Sequence, residues 1–249
     1  MRQKESTAPP WRRRAAFTAA ALTLVTMMFA SDAMPGQPAS TIVRRVDHLV
    51  YAVPDLDAGV ADLEQRLGVR AAPGGQHPGR GTRNALIALG PDSYLEILAP
   101  DPAQPTPAGG RWFGVDTARP PRLAGWAAKG SDLARVAGRA AERGVRLGAV
   151  AAGARQRPDG VTLRWEFTDP ATPAVFGLAP FFIDWGTGPH PAATAPRGPV
   201  LVSLWAEHPR PDLVAEPLAA LGVALPVERG PEPALVATLR IVSGLVELR

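Results

Sequence analysis

The sequence predicts an α+β fold built from two to three repeated βαβββ modules, forming mixed sheets with helices outside. Three observations carry the prediction. Short strands rich in β-branched residues alternate with segments of helical periodicity. The passage from Pro54-Asp55-Leu56 to Leu67-Gly68-Val69 is echoed by that from Pro211-Asp212-Leu213 to Leu221-Gly222-Val223, and repetition on this scale marks a repeated structural unit. Loops rich in Pro, Gly and Ala, without periodicity, separate the passes at 100–121 and 186–199.

The elements follow in order. Val46 to Val53 reads as a strand closed by Pro54. Asp55 then caps a helix whose apolar positions Leu56, Val60, Leu63 and Leu67 fall at helical spacing, with Gly68 as its stop. Residues 83–90 and 93–99 read as two further strands joined through Gly90-Pro91-Asp92. The second pass opens with Leu123 to Ala128; Ser131 caps a helix with Leu133, Val136 and Ala140 inward, and Gly144 ends it. Strands over 161–168 and 180–185 complete it. The third pass runs from a strand at Val200 to Ala206 to strands near 234–241 and 244–248. Pro217 predicts that its helix is either short, starting near Glu216, or kinked. The modules then span about 46–100, 122–186 and 200–248, preceded by a linker over 35–45.

The charge is concentrated at one end. Residues 1–34 hold five basic and two acidic residues, a net +3, whereas the rest of the chain is close to balanced at +1. Arg12-Arg13-Arg14, the apolar run Ala15 to Ala30 and Ser31-Asp32-Ala33 have the three parts of a secretory leader in order. The apolar run is short for a membrane span, which needs about 20 residues. Three outcomes follow: an exported protein, periplasmic or secreted, if the leader is used, a cytoplasmic one if translation starts at Met34, and a membrane anchor if the leader is retained. Without a basic stripe interleaved with aromatics, the main body is not expected to bind nucleic acid, and no membrane partner is expected for the mature chain. The absence of cysteine excludes disulfides, thiolate metal sites and Cys nucleophiles. No Gly-Lys-Ser/Thr run supports a nucleotide phosphate loop.

Several segments resemble a known family. Val46-Asp47-His48-Leu49-Val50-Tyr51-Ala52-Val53-Pro54-Asp55-Leu56 resembles the opening of the vicinal-oxygen-chelate superfamily (glyoxalase, bleomycin-resistance and extradiol dioxygenase proteins). The stretch Gly74 to Leu86, the run Tyr94-Leu95-Glu96-Ile97, Pro180 to Trp185 and His190-Pro191 resemble its glyoxalase-like branch. The resemblance covers roughly residues 45–248. It implies paired βαβββ modules whose sheets curl around a divalent metal, held by a His on a first strand and a Glu on a fourth.

The residues themselves allow that chemistry. Strand alternation places His48, Val50 and Ala52 on one face, and Tyr94, Glu96 and Leu98 on one face of a later strand. A His and a carboxylate set in apolar strands are costly to bury unless paired or metal-bound. They form either a structural His–Glu hydrogen bond or the first half of a metal site, and they match the superfamily's first-module ligands by position and type. The resemblance also implies a second His in the partner module. The matching places, Ala124 or a residue within Val202 to Trp205, are not His. Glu247 matches the position of Glu96. Either His77, from a Gly-rich loop, completes a site with His48 and Glu96, or the metal site is partly lost. With three such ligands, Fe, Mn, Ni or Zn all remain open.

Arg80 and Arg83 are candidates for binding a substrate carboxylate or phosphate. Asp184 is a candidate substrate contact, base or ligand, or the buried partner of Arg164. Trp126, Trp165, Trp185 and Trp205 read as core or pocket wall, and His190 and His208 as surface residues. The functional expectation is a metal-dependent lyase, isomerase or dioxygenase acting on a small oxygenated molecule, with Glu96 or Glu247 shuttling a proton. A non-catalytic small-molecule binding protein of the same fold is the alternative. Because superfamily members complete sites between modules or between subunits, a homodimer is one route to a whole site.

Overall fold

The computed structural model describes residues 41–116, 119–157 and 159–249. The leader expected over 1–34 lies outside the described residues. The end of the expected linker is not irregular: Thr41–Arg45 form a short helix, α1, that buries Ile42.

Strand β1 (Val46–Ala52) leads into helix α2 (Leu56–Leu67). The Asp55 carboxylate accepts a hydrogen bond from the Ala58 N–H at 2.8 Å, and Gly68 closes the helix in the left-handed conformation, as an N-cap and a glycine stop should. The helix buries Leu56, Val60, Leu63 and Leu67, the predicted stripe. Three strands follow: β2 (Ala72–His77), β3 (Thr82–Ala88) and β4 (Tyr94–Pro100). The second pass comprises β5 (Arg122–Lys129), α3 (Leu133–Glu142), β6 (Val150–Gln156), β7 (Thr162–Thr168) and β8 (Phe181–Asp184). Asp132, not Ser131, caps α3 by accepting from the Arg135 N–H. The third comprises β9 (Val200–His208), α4 (Asp212–Ala220), β10 (Val227–Arg229), β11 (Ala234–Ile241) and β12 (Gly244–Leu248). Helix α4 starts at Asp212 and runs through Pro217, so it is not cut back to Glu216.

The first two passes build one curled, eight-stranded mixed sheet in the order β2-β3-β4-β1-β5-β8-β7-β6. Each half repeats the other about the central antiparallel pair β1–β5, and in each the last strand lies parallel to the first, β4 to β1 and β8 to β5. The third pass keeps the element order but changes the pairing. Its sheet runs β10-β9-β11-β12, with β10 parallel to β9 and β12 at an edge. Edge strand β12 is therefore not the counterpart of β4.

Alternation along the strands sorts two faces. Leu49, Tyr51, Ile87, Leu95 and Ile97 join Leu63 and Leu67 of α2, and Leu204, Leu235 and Leu239 of the smaller sheet, in one apolar core. The opposite face of the large sheet carries Val50, Ala52 and Leu98 together with the polar cluster described next. Among the described residues, no helix is long and apolar enough to cross a membrane.

Candidate metal and substrate site

His48, on β1, and Glu96, on β4, are brought together by the parallel pairing that sets His48 opposite Tyr94 and Val50 opposite Glu96. The His48 ring stacks on Tyr94 with centroids 4.5 Å apart, and its Nε2 lies 3.8 Å from Glu96 Oε2. His77 comes from the end of β2, a strand rather than the Gly-rich loop expected, and pairs with Thr82 in register. Its Nε2 lies 3.6 Å from Glu96 Oε1. The three side chains are all buried.

The second nitrogen of each ring is already engaged. His48 Nδ1 lies 2.8 Å from Asp47 Oδ1, and His77 Nδ1 lies 2.9 Å from Thr82 Oγ1. With those nitrogens protonated, both Nε2 atoms are turned toward Glu96, and that of His77 also accepts from Asn84 Nδ2 at 3.4 Å. His77 is held neutral because burial pushes its pKa down; the Glu96 charge opposes this, and nearby Arg155 and Arg80 add to it. Asn84, on β3, donates from Nδ2 to Glu96 Oε1 at 2.5 Å, while its Oδ1 is buried without a partner.

Asp47 is the hub behind His48. In a regular strand, adjacent side chains point to opposite faces. The β1–β5 register shifts between Val46 and His48, leaving Asp47 in an irregularity of the ladder. Its Oδ2 accepts hydrogen bonds from Trp185 Nε1 at 3.0 Å and from His190 Nε2 at 3.2 Å. His190 Nδ1 accepts from the Ala192 N–H, which leaves the proton on Nε2 for Asp47. Burial raises the Asp47 pKa, but the hydrogen bonds and charges of His190 and His48 outweigh it and hold it at about 2. His190 is thus a partly buried member of the site and not a surface residue. His208 is buried too, with Nδ1 bonded to the backbone of Arg210.

The second half of the sheet supplies a different surface. Trp165, Phe167, Phe181 and Trp185 face the His48–His77–Glu96 cluster across a cavity of about 40 Å³, with Arg155 of β6 at its side. Trp112, Phe113 and Phe181 also border a larger cleft of about 770 Å³. Trp165 and Trp185 are pocket wall, and Trp126 is core, as expected.

The other expected site residues lie outside the His48–His77–Glu96 cluster. Arg80 bonds Asp169 at 3.0 Å and lies over the Trp112 ring at 4.6 Å, while Trp112 Nε1 bonds the other Asp169 oxygen. Its guanidinium is therefore committed to fastening Trp112. Arg83 alternates with Asn84 along β3 and so faces the helix side, 3.6 Å from Asp57 of α2. Asp184 alternates with the pocket-facing Ile183; its Oδ1 accepts from the Gly186 N–H at 2.8 Å, and Arg164 is exposed instead of paired with it. Glu247 is exposed on β12 of the smaller sheet, where its register partner is Thr238. The changed strand order of the third pass removes it from the proton-shuttling role expected for it.

Sequence reasoning passed over Asp47, Asn84 and Arg155. Asp47 has a signal, its adjacency to His48, but the strand irregularity that turns it toward the ring has none. Asn84 lies in phase with Leu86 and Ala88 on β3, and that alternation could have placed it on the site face. Arg155 sits in a strand without a clear apolar alternation.

This curled sheet of paired βαβββ halves is a vicinal-oxygen-chelate fold. A family model described as a glyoxalase-like domain matches residues 46–222. The chain belongs to that family. A hypothetical protein from Staphylococcus aureus has a similar structure, with a TM-score of 0.56 at 14% identity, covering 81% of this chain and 84% of the other. Methylmalonyl-CoA epimerase from Mycobacterium tuberculosis aligns at a TM-score of 0.38 and 25% identity, over 59% of this chain and 90% of the epimerase. A search of curated proteins finds no match.

The donor atoms gathered at this site are of the kinds a divalent cation takes. Metal–nitrogen and metal–oxygen bonds of about 2.1 Å set neighbouring donors roughly 3.0–3.4 Å apart. The donor spacings of 3.6 and 3.8 Å around Glu96 are a few tenths of an ångström wider. Among the described residues, no group of three or more His, Cys, Asp or Glu side chains is spaced to hold a metal ion. The donors are nitrogen and oxygen only, and both imidazoles have their far nitrogens fixed, as metal-binding imidazoles require.

Proposed function

We propose that this protein is a divalent-metal-dependent enzyme of the lyase, isomerase or dioxygenase type, acting on a small oxygenated substrate. The observation that supports it is the convergence of two neutral-capable Nε2 atoms, from His48 and His77, on the buried carboxylate of Glu96. These three residues would hold the ion. When bound, it would supply Lewis-acid polarisation of a substrate oxygen.

The chain's own groups have distinct tasks in this reading. Asp47 fixes the ring of His48, and Thr82 that of His77. Asn84 holds one oxygen of Glu96 through its amide, leaving the other for the ion or for a substrate proton. The aromatic side chains of the second half exclude water from the cavity and cover the flat faces of a substrate.

Elemental analysis of the purified protein tests the proposal. About one divalent ion per chain is expected in the wild type, and loss of most of it in the double variant His48→Ala, Glu96→Ala. Equal metal content in the two would overturn the proposal. A second reading, a metal-free binding protein, draws on the aromatic character of the second half, which offers no His at the place matching His48. It predicts ligand-dependent quenching of Trp emission that survives chelation.

A further inference from the structure

Arg155 is only 6% exposed, yet among the described residues its guanidinium hydrogen-bonds only to the Gly74 carbonyl. Among the described residues, no Asp or Glu lies within ion-pair distance of it. Glu96 acts on it only through its charge, and that carboxylate is already bonded by Asn84 and faced by two imidazoles. A guanidinium has five N–H donors in a planar fork and keeps its charge when buried. Burying such a charge without a counter-ion is costly, and a carboxylate brought against it would supply one.

The side chain also borders an outer cleft of about 250 Å³, together with Gly74, Arg157 and Asp159. Gly75 has φ of +135°, and a Cβ there would come within 3.6 Å of Arg155 Nη1. The backbone of Gly74 and Gly75 therefore packs directly on the guanidinium. The same side chain lines the cavity of about 40 Å³ that holds His48, His77 and Glu96. At about 10–15 Å³ for each water-sized group, that space admits about three or four heavy atoms, the carboxylate end of a ligand whose remainder lies outside it. A carboxylate has that size, is planar and matches the guanidinium fork with two oxygens.

We propose that Arg155 receives the carboxylate of the substrate, so that the substrate is a small carboxylic acid bearing a second oxygen function directed at His48, His77 and Glu96. The direction of that second oxygen rests on the proposed function; the carboxylate contact does not.

The test compares pyruvate and lactate with their neutral amides, pyruvamide and lactamide, on the protein as purified. Binding is read from the emission of Trp112, Trp165 and Trp185 and from the thermal shift. The acids are expected to bind at least about tenfold more tightly than the amides. Arg155→Met, which keeps an unbranched stem and removes the charge, should abolish that preference without lowering metal content, and Arg155→Lys should restore part of it. Equal affinity for acid and amide in the wild type, or no binding of either acid, would overturn the proposal, as would an undiminished preference in Arg155→Met. Inorganic phosphate competing as well as the acids would overturn the assignment to a carboxylate. If Arg155→Met does not fold, the wild-type comparison of acid with amide decides alone. Acid preference in protein without bound metal would refute the metal reading and leave the carboxylate contact standing.

Discussion

The Asp47 carboxylate and the His48 imidazole, neighbours in the chain, are hydrogen-bonded at 2.8 Å within a strand whose ladder slips at that point. A regular strand would have sent these side chains to opposite faces. The irregularity lets one residue orient the next, and it fixes which nitrogen of His48 remains for Glu96.

Asp47→Asn tests this arrangement. An amide keeps the shape but removes the charge that fixes the tautomer of His48. Metal affinity should fall by about 10–100-fold, the usual cost of losing a carboxylate behind a ligating imidazole. Isothermal titration with Zn(II) or Mn(II) measures it, and an unchanged affinity would show that Asp47 has no orienting role.

The same carboxylate sets an acid limit on stability. Its pKa is about 2 in the folded protein against the ordinary 3.8, so below pH 3.8 the unfolded chain binds the proton more readily. The stabilisation is fully present above pH 3.8 and disappears as the pH falls through about 2. It amounts to about 2 kcal/mol. Urea denaturation of chelated protein at pH 5 and pH 2.5 should show this loss in the wild type and a smaller one in Asp47→Asn.

Gly74→Ala should disturb the site from behind. A Cβ at Gly74 would lie 2.1 Å from Asn84 Oδ1, which forces the amide away from Glu96. A stability loss of about 1–3 kcal/mol is expected, as for other overpacked interiors, together with weaker metal binding. Gly109→Ala is the control, since nothing lies within 4 Å of its Cβ position. Equal melting curves for the two variants would contradict the packing described.

Glu247→Gln should leave metal content and ligand binding unchanged and alter stability by less than about 0.5 kcal/mol, as expected for an exposed edge position. A loss of metal in this variant would mean that the smaller sheet takes part in the site.

Much of this architecture was legible in the sequence, because its signals are local. The Asp55 cap, the stripe on α2 and the Gly68 stop each act within a few residues, and the alternation that groups His48 with Val50 and Tyr94 with Glu96 is a property of any strand. Strands β2, β6 and β10 were not legible. Ala-Pro-Gly-Gly-Gln-His has little intrinsic strand preference and becomes a strand by pairing with β3, a tertiary effect that overrides local propensity. The pairing of the third pass was equally hidden: the echo of Pro54-Asp55-Leu56 in Pro211-Asp212-Leu213 is real as an element order, yet sequence order does not specify which strand lies beside which. The misplacement of Glu247 follows from that gap. Arg80 and Arg83 show the same limit at the level of side chains, since spacing reveals a cation but not the Asp169 or Asp57 that receives it.

The chain between the two sheets runs through His190, which is bonded to Asp47, and then forms the Ala88–Pro196 and Leu89–Leu201 backbone hydrogen bonds before entering β9. This strap ties the entry to the smaller sheet to the carboxylate behind His48, and both sheets bury their apolar faces in one core. Heat denaturation should therefore be a single all-or-none event, in which the affinity of the site for its ligands and the cohesion of a distant β-sheet rise and fall together.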